Sequence, residues 1–265
     1  MKKYLVIGNP IEHSLSPLLH NYWIKENGIN AIYEKRELKA KELEKTILEV
    51  KDEKISGINV TVPYKKLVIE FLDELTPVAN ITKSVNTIYK KTGKIIGDNT
   101  DVGGFENSLK NINYKPEGKK AFILGAGGVA PSIIFALEKM GVAKIILSNR
   151  TKQKAEDLKK IYPNIEIVSW GDSVQSDIII NATSLGLKNH DDIKLNYETL
   201  GPNKLFYDVI YNPTNTKFLL KGKELGNKTE NGKAMFVYQA QLSFEIWHKI
   251  KPKINSKVFE ILTND

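Results

Sequence analysis

The 265-residue chain contains no cysteine. That excludes disulfides, thiolate metal sites and cysteine nucleophiles, and it agrees with a cytoplasmic setting. Arginine is nearly absent: Arg36 and Arg150 are the only two among 39 basic residues. No apolar run approaches the length of a membrane span. The opening run Tyr4-Leu5-Val6-Ile7 stops at Gly8-Asn9-Pro10, too soon for the core of a signal peptide, and reads as a first strand. The signatures H-E-x-x-H and G-x-S-x-G and the phosphate-binding P-loop are missing. The four histidines, His13, His20, His190 and His248, follow no ligand spacing, so no metal is expected. Clustered basic runs are missing too. The net charge of +8 comes from lysines scattered in ones and twos, often beside glutamates as in residues 39–54. This pattern describes a solvated surface with some attraction for small anions, with neither a nucleic-acid footprint nor a membrane-binding face.

What is present describes a globular α/β protein. A hydrophobic content of 41% with 26% charge supplies a core for one large or two medium domains. The most informative stretch is Gly125-Ala126-Gly127-Gly128-Val129-Ala130. The apolar run Ala121-Phe122-Ile123-Leu124 before it reads as a buried strand, and residues 129–140 after it as a helix. In that context the glycines form a dinucleotide-binding turn, with a pyrophosphate on the helix N-terminus. A second strand, Lys144-Ile145-Ile146-Leu147, runs into Ser148-Asn149-Arg150-Thr151. NAD sites place an acid here to hold the ribose 2′-hydroxyl. A guanidinium in its place suits a 2′-phosphate, so the reading favours NADP. Taken alone, Arg150 also reads as a solvated loop charge.

Strand and helix signals alternate through the first hundred residues: strands at 4–8, 31–36 and 57–62, helices at 17–26 and 40–50. Residues 85–89 and 94–97 form a predicted hairpin around Lys91-Thr92-Gly93. A helix at 102–109 leads into the glycine-rich unit. Strands at 166–168, 177–180 and 205–209 continue a second sheet, and helices follow at 233–250 and 257–262. A domain boundary is expected near residue 102, with the C-terminal helices packing back on the first domain.

Several residues are placed for chemistry. Ser16 reads as an N-cap with Pro17 as the first helical residue, and capping alone accounts for Ser16. Ser14 has no such local explanation, and two hydroxyls at a helix start suit a carboxylate. Thr61 and Lys65 follow a strand end, where ligands of open sheets bind, and Pro63 is expected to start a helix there. A lysine in the first turn of a helix opposes the dipole, which points to a function or to an accident of a Lys-rich chain. Asp101 stands where it caps the helix at 102 and keeps an oxygen for a ligand. Asn86 in an apolar strand and Gln239 on an apolar helix stripe each need a hydrogen-bond partner, which neighbouring backbone also supplies.

These pieces, in this order, resemble the shikimate dehydrogenase family over nearly the full length. The resemblance rests on Gly8-Asn9-Pro10-Ile11, residues 13–21, Asn59-Val60-Thr61-Val62-Pro63-Tyr64-Lys65, Val85-Asn86-Thr87 and Gly97-Asp98-Asn99-Thr100-Asp101. It continues through residues 125–130, Asn149-Arg150-Thr151, Asn181-Ala182-Thr183-Ser184, Asp208-Val209-Ile210-Tyr211 and residues 231–240. The resemblance implies NADPH-dependent, reversible reduction of 3-dehydroshikimate to shikimate, in the route to chorismate and the aromatic amino acids. It implies a substrate-binding and catalytic α/β domain at 1–101, completed by 233–265, and a Rossmann-like NADP domain at 102–232. Lys65 and Asp101 would be the catalytic pair. Ser14 and Ser16 would hold the substrate carboxylate, and Thr61, Asn86, Tyr211 and Gln239 its hydroxyls and ring. Gly125, Ala126, Gly127, Gly128, Val129, Asn149, Arg150, Thr151, Lys154, Val209 and Gly232 would line the cofactor site. Lys154 stands where relatives commonly carry a second arginine. It keeps the charge without the bidentate fork. The small-molecule substrate is the only partner implied, for a monomer or a homodimer. The alternatives are an NAD-using quinate/shikimate dehydrogenase, which would carry an acid at position 150, and a non-catalytic nucleotide-sensing relative, which would lack Lys65 or Asp101.

Overall fold

The structure, a computed structural model, describes residues 1–188 and 190–263. The chain divides into two compact units, Met1–Gly104 with Val237–Asp265, and Phe105–Phe236. Among the described residues, no helix is long and apolar enough to cross a membrane.

The first unit is built on a six-stranded mixed sheet. Its strands are β1 (Lys2–Gly8), β2 (Ala31–Glu37), β3 (Gly57–Val60), β4 (Glu74–Leu75), β5 (Thr87–Lys91) and β6 (Lys94–Asp98), in the order β2-β1-β3-β5-β6-β4. β1 runs parallel to β2 and β3, and β5 pairs antiparallel with β3 and β6. Residues Tyr4 to Gly8 are buried without alternation, as expected of a strand covered on both faces. Leu5, Ile7, Ile58, Val60 and Ile88 meet Leu43, Ile47 and Val50 of the helix Leu43–Lys51 in one core. The aromatic residues Tyr4, Trp23, Tyr33, Phe244 and Trp247 pack with His20 and His248 into a second cluster. The β5–β6 hairpin turns through Thr92 and Gly93, both at positive φ, which matches the twist of the flanking strands.

Two expectations for this unit need correction. No helix starts at Pro63; after the turn there is a short 3₁₀ helix at Leu67–Phe71. The carbonyl of Val62 accepts from Asn9 N (3.0 Å) and that of Lys65 from Val85 N (2.8 Å), so groups that a helix would use are committed to neighbouring chain. The helix at Ser16–Glu26 is not capped by the Ser16 side chain. Ser16 is its first residue, and Ser16 N donates to Ser14 Oγ (3.3 Å). The hydroxyl without an apparent local role is therefore the one that serves the helix start.

The second unit holds a six-stranded sheet of β7 (Lys120–Leu124), β8 (Lys144–Ser148), β9 (Glu166–Val168), β10 (Ile178–Asn181), β11 (Leu205–Asp208) and β12 (Lys228–Glu230). All its pairings are parallel, in the order β12-β11-β10-β7-β8-β9. The order in which strands are added reverses between β7 and β10, as in dinucleotide-binding sheets, and ligands bind at the carboxyl ends around that point. Phe122, Leu124, Ile146, Ile179 and Phe206 of the sheet pack with Phe218 and Leu219 of the helix Lys217–Glu224. Truncating one of these large core side chains to alanine should cost about 2–5 kcal/mol.

Candidate active site

In the first unit, polar side chains converge from the residue before β5, the turn after β3, the start of the helix Asp101–Asn111 and the helix Lys233–His248. Lys65 Nζ donates to Asp101 Oδ2 at 2.5 Å, with 11% and 7% of the two side chains exposed. Asn86 Nδ2 donates to Asp101 Oδ1 (2.9 Å), Thr100 Oγ1 (2.9 Å) and Gln239 Oε1 (3.3 Å). Asn86 Oδ1 accepts from Thr100 N (2.8 Å) and Thr87 Oγ1 (3.0 Å). Asp101 N donates to Asn99 Oδ1 (3.1 Å). Asn99 thus shapes the helix entry, while the Asp101 carboxylate engages Lys65 and Asn86. The cost of burying these groups is met by one another.

The structure therefore brings together Lys65, Asn86, Asp101 and Gln239. Thr61 is half-buried beyond β3, with its amide on Ile7 O at 2.9 Å. Ser14 and Ser16 stand at the start of the helix Ser16–Glu26. Tyr211 belongs to the other unit, where it stacks on Phe236 with ring centroids 4.6 Å apart.

One participant had no assigned role. Asn59 is buried in β3, accepts from the Tyr33 hydroxyl (2.7 Å) and donates to Asn86 O (3.1 Å) and Thr87 Oγ1 (3.2 Å). Its signal in the sequence is the one that marked Asn86, an amide inside an apolar strand. Burial holds the Tyr33 phenol neutral, well above its ordinary range.

In the second unit, the glycine-rich turn follows β7 directly. Gly125 has φ +107°, and a Cβ there would lie 2.7 Å from Thr183 Cγ2 and 2.9 Å from the Ala182 backbone. At Gly127 a Cβ would meet nothing closer than Ala182 O at 3.8 Å, leaving room for a ligand against the backbone. No side chain caps the helix Ala130–Lys139. Ala130 N and Ser132 N donate to Gly127 O (3.2 Å) and Val129 O (3.0 Å), and Pro131 has no N–H, so it is the helix dipole that suits an anion here. Asn149 fastens this turn to the end of β8: its Oδ1 accepts from Ala126 N (2.9 Å) and its Nδ2 donates to Thr151 O (2.7 Å). Arg150, Thr151 and Lys154 are exposed beside it. Gly232 N donates to Ile210 O (3.0 Å), and a Cβ on Gly232 would lie 2.0 Å from Val209 O. Only glycine allows that approach. A glycine cradle, a helix N-terminus and the exposed Arg150 and Lys154 fit a phosphorylated dinucleotide.

The sequence matches two family models, the shikimate dehydrogenase substrate binding domain over residues 6–88 and shikimate/quinate 5-dehydrogenase over residues 107–190. A shikimate dehydrogenase (NADP(+)) of Pelagibacter ubique is 57% identical over 261 residues, 98% of each chain. The chain belongs to the shikimate dehydrogenase family. Among solved relatives, the shikimate dehydrogenase of Aquifex aeolicus superposes with a TM-score of 0.90 at 37% identity, covering 100% of this chain and 98% of that one. The shikimate 5-dehydrogenase of Thermus thermophilus, solved with NADP(H) and shikimate, gives 0.90 at 30% identity, covering 98% of each. The two α/β units here thus have the architecture of that family.

Proposed function

We propose that this chain catalyses the reversible, NADPH-dependent reduction of 3-dehydroshikimate to shikimate, a cytoplasmic step toward chorismate and the aromatic amino acids. The observation that carries the reading is the buried Lys65–Asp101 pair at 2.5 Å, joined through Asn86 to Gln239. Family membership and the Aquifex, Thermus and Pelagibacter relatives support it.

When bound, NADPH supplies the hydride to the ketone carbon at C3. Residues 125–129 receive the pyrophosphate, and Asn149 holds their turn in place. Arg150, Thr151 and Lys154 face the 2′-phosphate, where an acid would repel it. Val209 and Gly232 line the far end of the cofactor. The hydroxyls of Ser14 and Ser16 take the substrate carboxylate; Thr61, Asn86, Tyr211 and Gln239 take its hydroxyls and ring.

Lys65 Nζ donates a proton to the C3 oxygen as negative charge builds there, and takes it back in the reverse direction. Asp101 keeps the ammonium oriented and, with Asn86 on its second oxygen, is itself fixed. The NAD-dependent alternative requires an acid at position 150, where Arg150 stands. The decisive assay is 3-dehydroshikimate reduction by the purified protein with NADPH and NADH compared. Turnover preferring NADPH supports the reading, and no turnover with either cofactor refutes it.

A further inference from the structure

β10 and β11 are in register so that Asn181 lies opposite Asp208 at their carboxyl ends, and both side chains are fully buried. Among the described residues, the Asp208 carboxylate is held by hydrogen bonds, with no cation contributing. Its Oδ1 accepts from Asn181 Nδ2 (3.0 Å) and Ile210 N (3.0 Å), and its Oδ2 from Thr216 Oγ1 (2.6 Å). Burial pushes this carboxyl up to about 6 against the pull of those donors. A carboxylate kept dry without a cation is a poor stabilising device.

The donors it recruits sit at both ends of one loop. Ile210 opens the 209–215 segment, and Thr216 closes it while capping the helix Lys217–Glu224 through Leu219 N. Asn181 extends the tie to the neighbouring turn, with Nδ2 on Leu185 O (3.0 Å) and Oδ1 accepting from Thr183 N (3.0 Å). Gly232 N holds the same loop from the far side, on Ile210 O.

The sheet order says which part of a ligand this loop serves. Arg150 follows β8 and the glycine turn follows β7, while β10 and β11 lie on the other side of β7. With its 2′-phosphate at Arg150 and its pyrophosphate at the glycine turn, a dinucleotide must extend its nicotinamide half past β10 toward β11. We infer that Asp208 is a positioning residue for the nicotinamide half of NADPH, fixing both ends of the 209–215 loop and, through Asn181, the 183–185 turn. The inference rests on the placement of NADPH proposed above.

The test compares binding of NADPH and of 2′-phospho-ADP-ribose, which lacks the nicotinamide, to the full chain by titration calorimetry. Asp208→Asn and Thr216→Val should each weaken NADPH about tenfold while changing 2′-phospho-ADP-ribose by less than about twofold. Thr216→Val carries the test if Asp208→Asn does not fold. A merely structural role would lower Tm and leave the ratio of the two affinities unmoved. Unchanged NADPH affinity, or equal loss for both ligands, overturns the inference. Arg150→Asp separates the two failures, because it should weaken both ligands. If it weakens neither, the NADPH placement is wrong and the inference falls with it. If it weakens both while Asp208→Asn and Thr216→Val show no selectivity, only the role of Asp208 falls.

Discussion

Lys65 Nζ lies 2.5 Å from Asp101 Oδ2, and the other oxygen of that carboxylate accepts from Asn86 at 2.9 Å. The carboxylate is thus clamped from two sides, and the ammonium keeps its remaining protons for a ligand. Lys65→Ala should lower kcat by about 10²–10⁴, with a smaller effect on substrate KM because Asn86 and Gln239 remain. Asp101→Asn should lower kcat and raise KM together. Either change leaves a buried group without its partner, at a cost of about 3–5 kcal/mol, so turnover is normalised to folded protein. Near-normal kcat with a raised KM in Lys65→Ala would make the lysine a binding residue and leave the proton donor to be found elsewhere.

The cofactor preference depends on an exposed guanidinium. Arg150→Asp replaces a donor for the 2′-phosphate with a repelling charge. KM for NADPH should rise about ten- to a hundredfold, while KM for NADH stays level or falls. Steady-state kinetics with both cofactors provide the check. Equal use of NADH and NADPH by the unmodified protein would refute the role given to Arg150.

The two serines differ as probes because Ser14 Oγ accepts from Ser16 N. Ser14→Ala removes a helix-start bond worth about 1 kcal/mol as well as any ligand contact. Ser16→Ala leaves that bond intact but takes the Ser16 hydroxyl away from the Tyr33 phenol. It should raise KM for shikimate about tenfold, with KM for NADP unchanged. A KM for shikimate that does not move would take Ser16 out of the site.

Legibility in the sequence followed the strength of the local signal. The parallel strands of the second unit are continuous apolar runs bounded by Gly or polar turns, and β7, β8, β9, β10 and β11 fall within a residue or two of their expected positions. β4 is only 2 residues long and β12 is Lys228-Thr229-Glu230, without an apolar side chain, so neither offers a hydrophobic pattern to register. The Pro63 segment misled because Pro at a helix start is a good local rule, while long-range bonds from Asn9 and Val85 decided the backbone there. Asn86, Lys65 and Gln239 were visible as polar groups out of place, whereas Asp101 reads locally as an N-cap and is instead the first residue of its helix, with its carboxylate on Lys65 and Asn86. The convergence of Asn86 and Gln239, 153 residues apart in the chain, is a property of the fold. Asn59 went without a role because its partners Tyr33 and Ser243 lie 26 and 184 residues away in the chain.

His20 supplies a prediction on acid stability. It is buried, stacked on Tyr33 with centroids 4.2 Å apart, and neither ring nitrogen has a hydrogen-bond partner among the described residues. Burial, and then the nearby His248, push its pKa down to about 3; burial pushes that of His248 down to about 4. Both imidazoles stay neutral in the folded protein at pH values where an unfolded chain would protonate them. The unfolded state therefore binds more protons, and stability falls as the pH drops from about 6.5 toward the folded values, by about 1.4 kcal/mol per pH unit for each histidine. His20→Phe keeps the stack on Tyr33 and removes one of the two titrating groups. Urea midpoints measured from pH 7 to pH 4 should then fall less steeply in the variant, by about one proton's worth of slope. Parallel curves for the two proteins would mean that His20 takes up its proton in the folded state as readily as in the unfolded one.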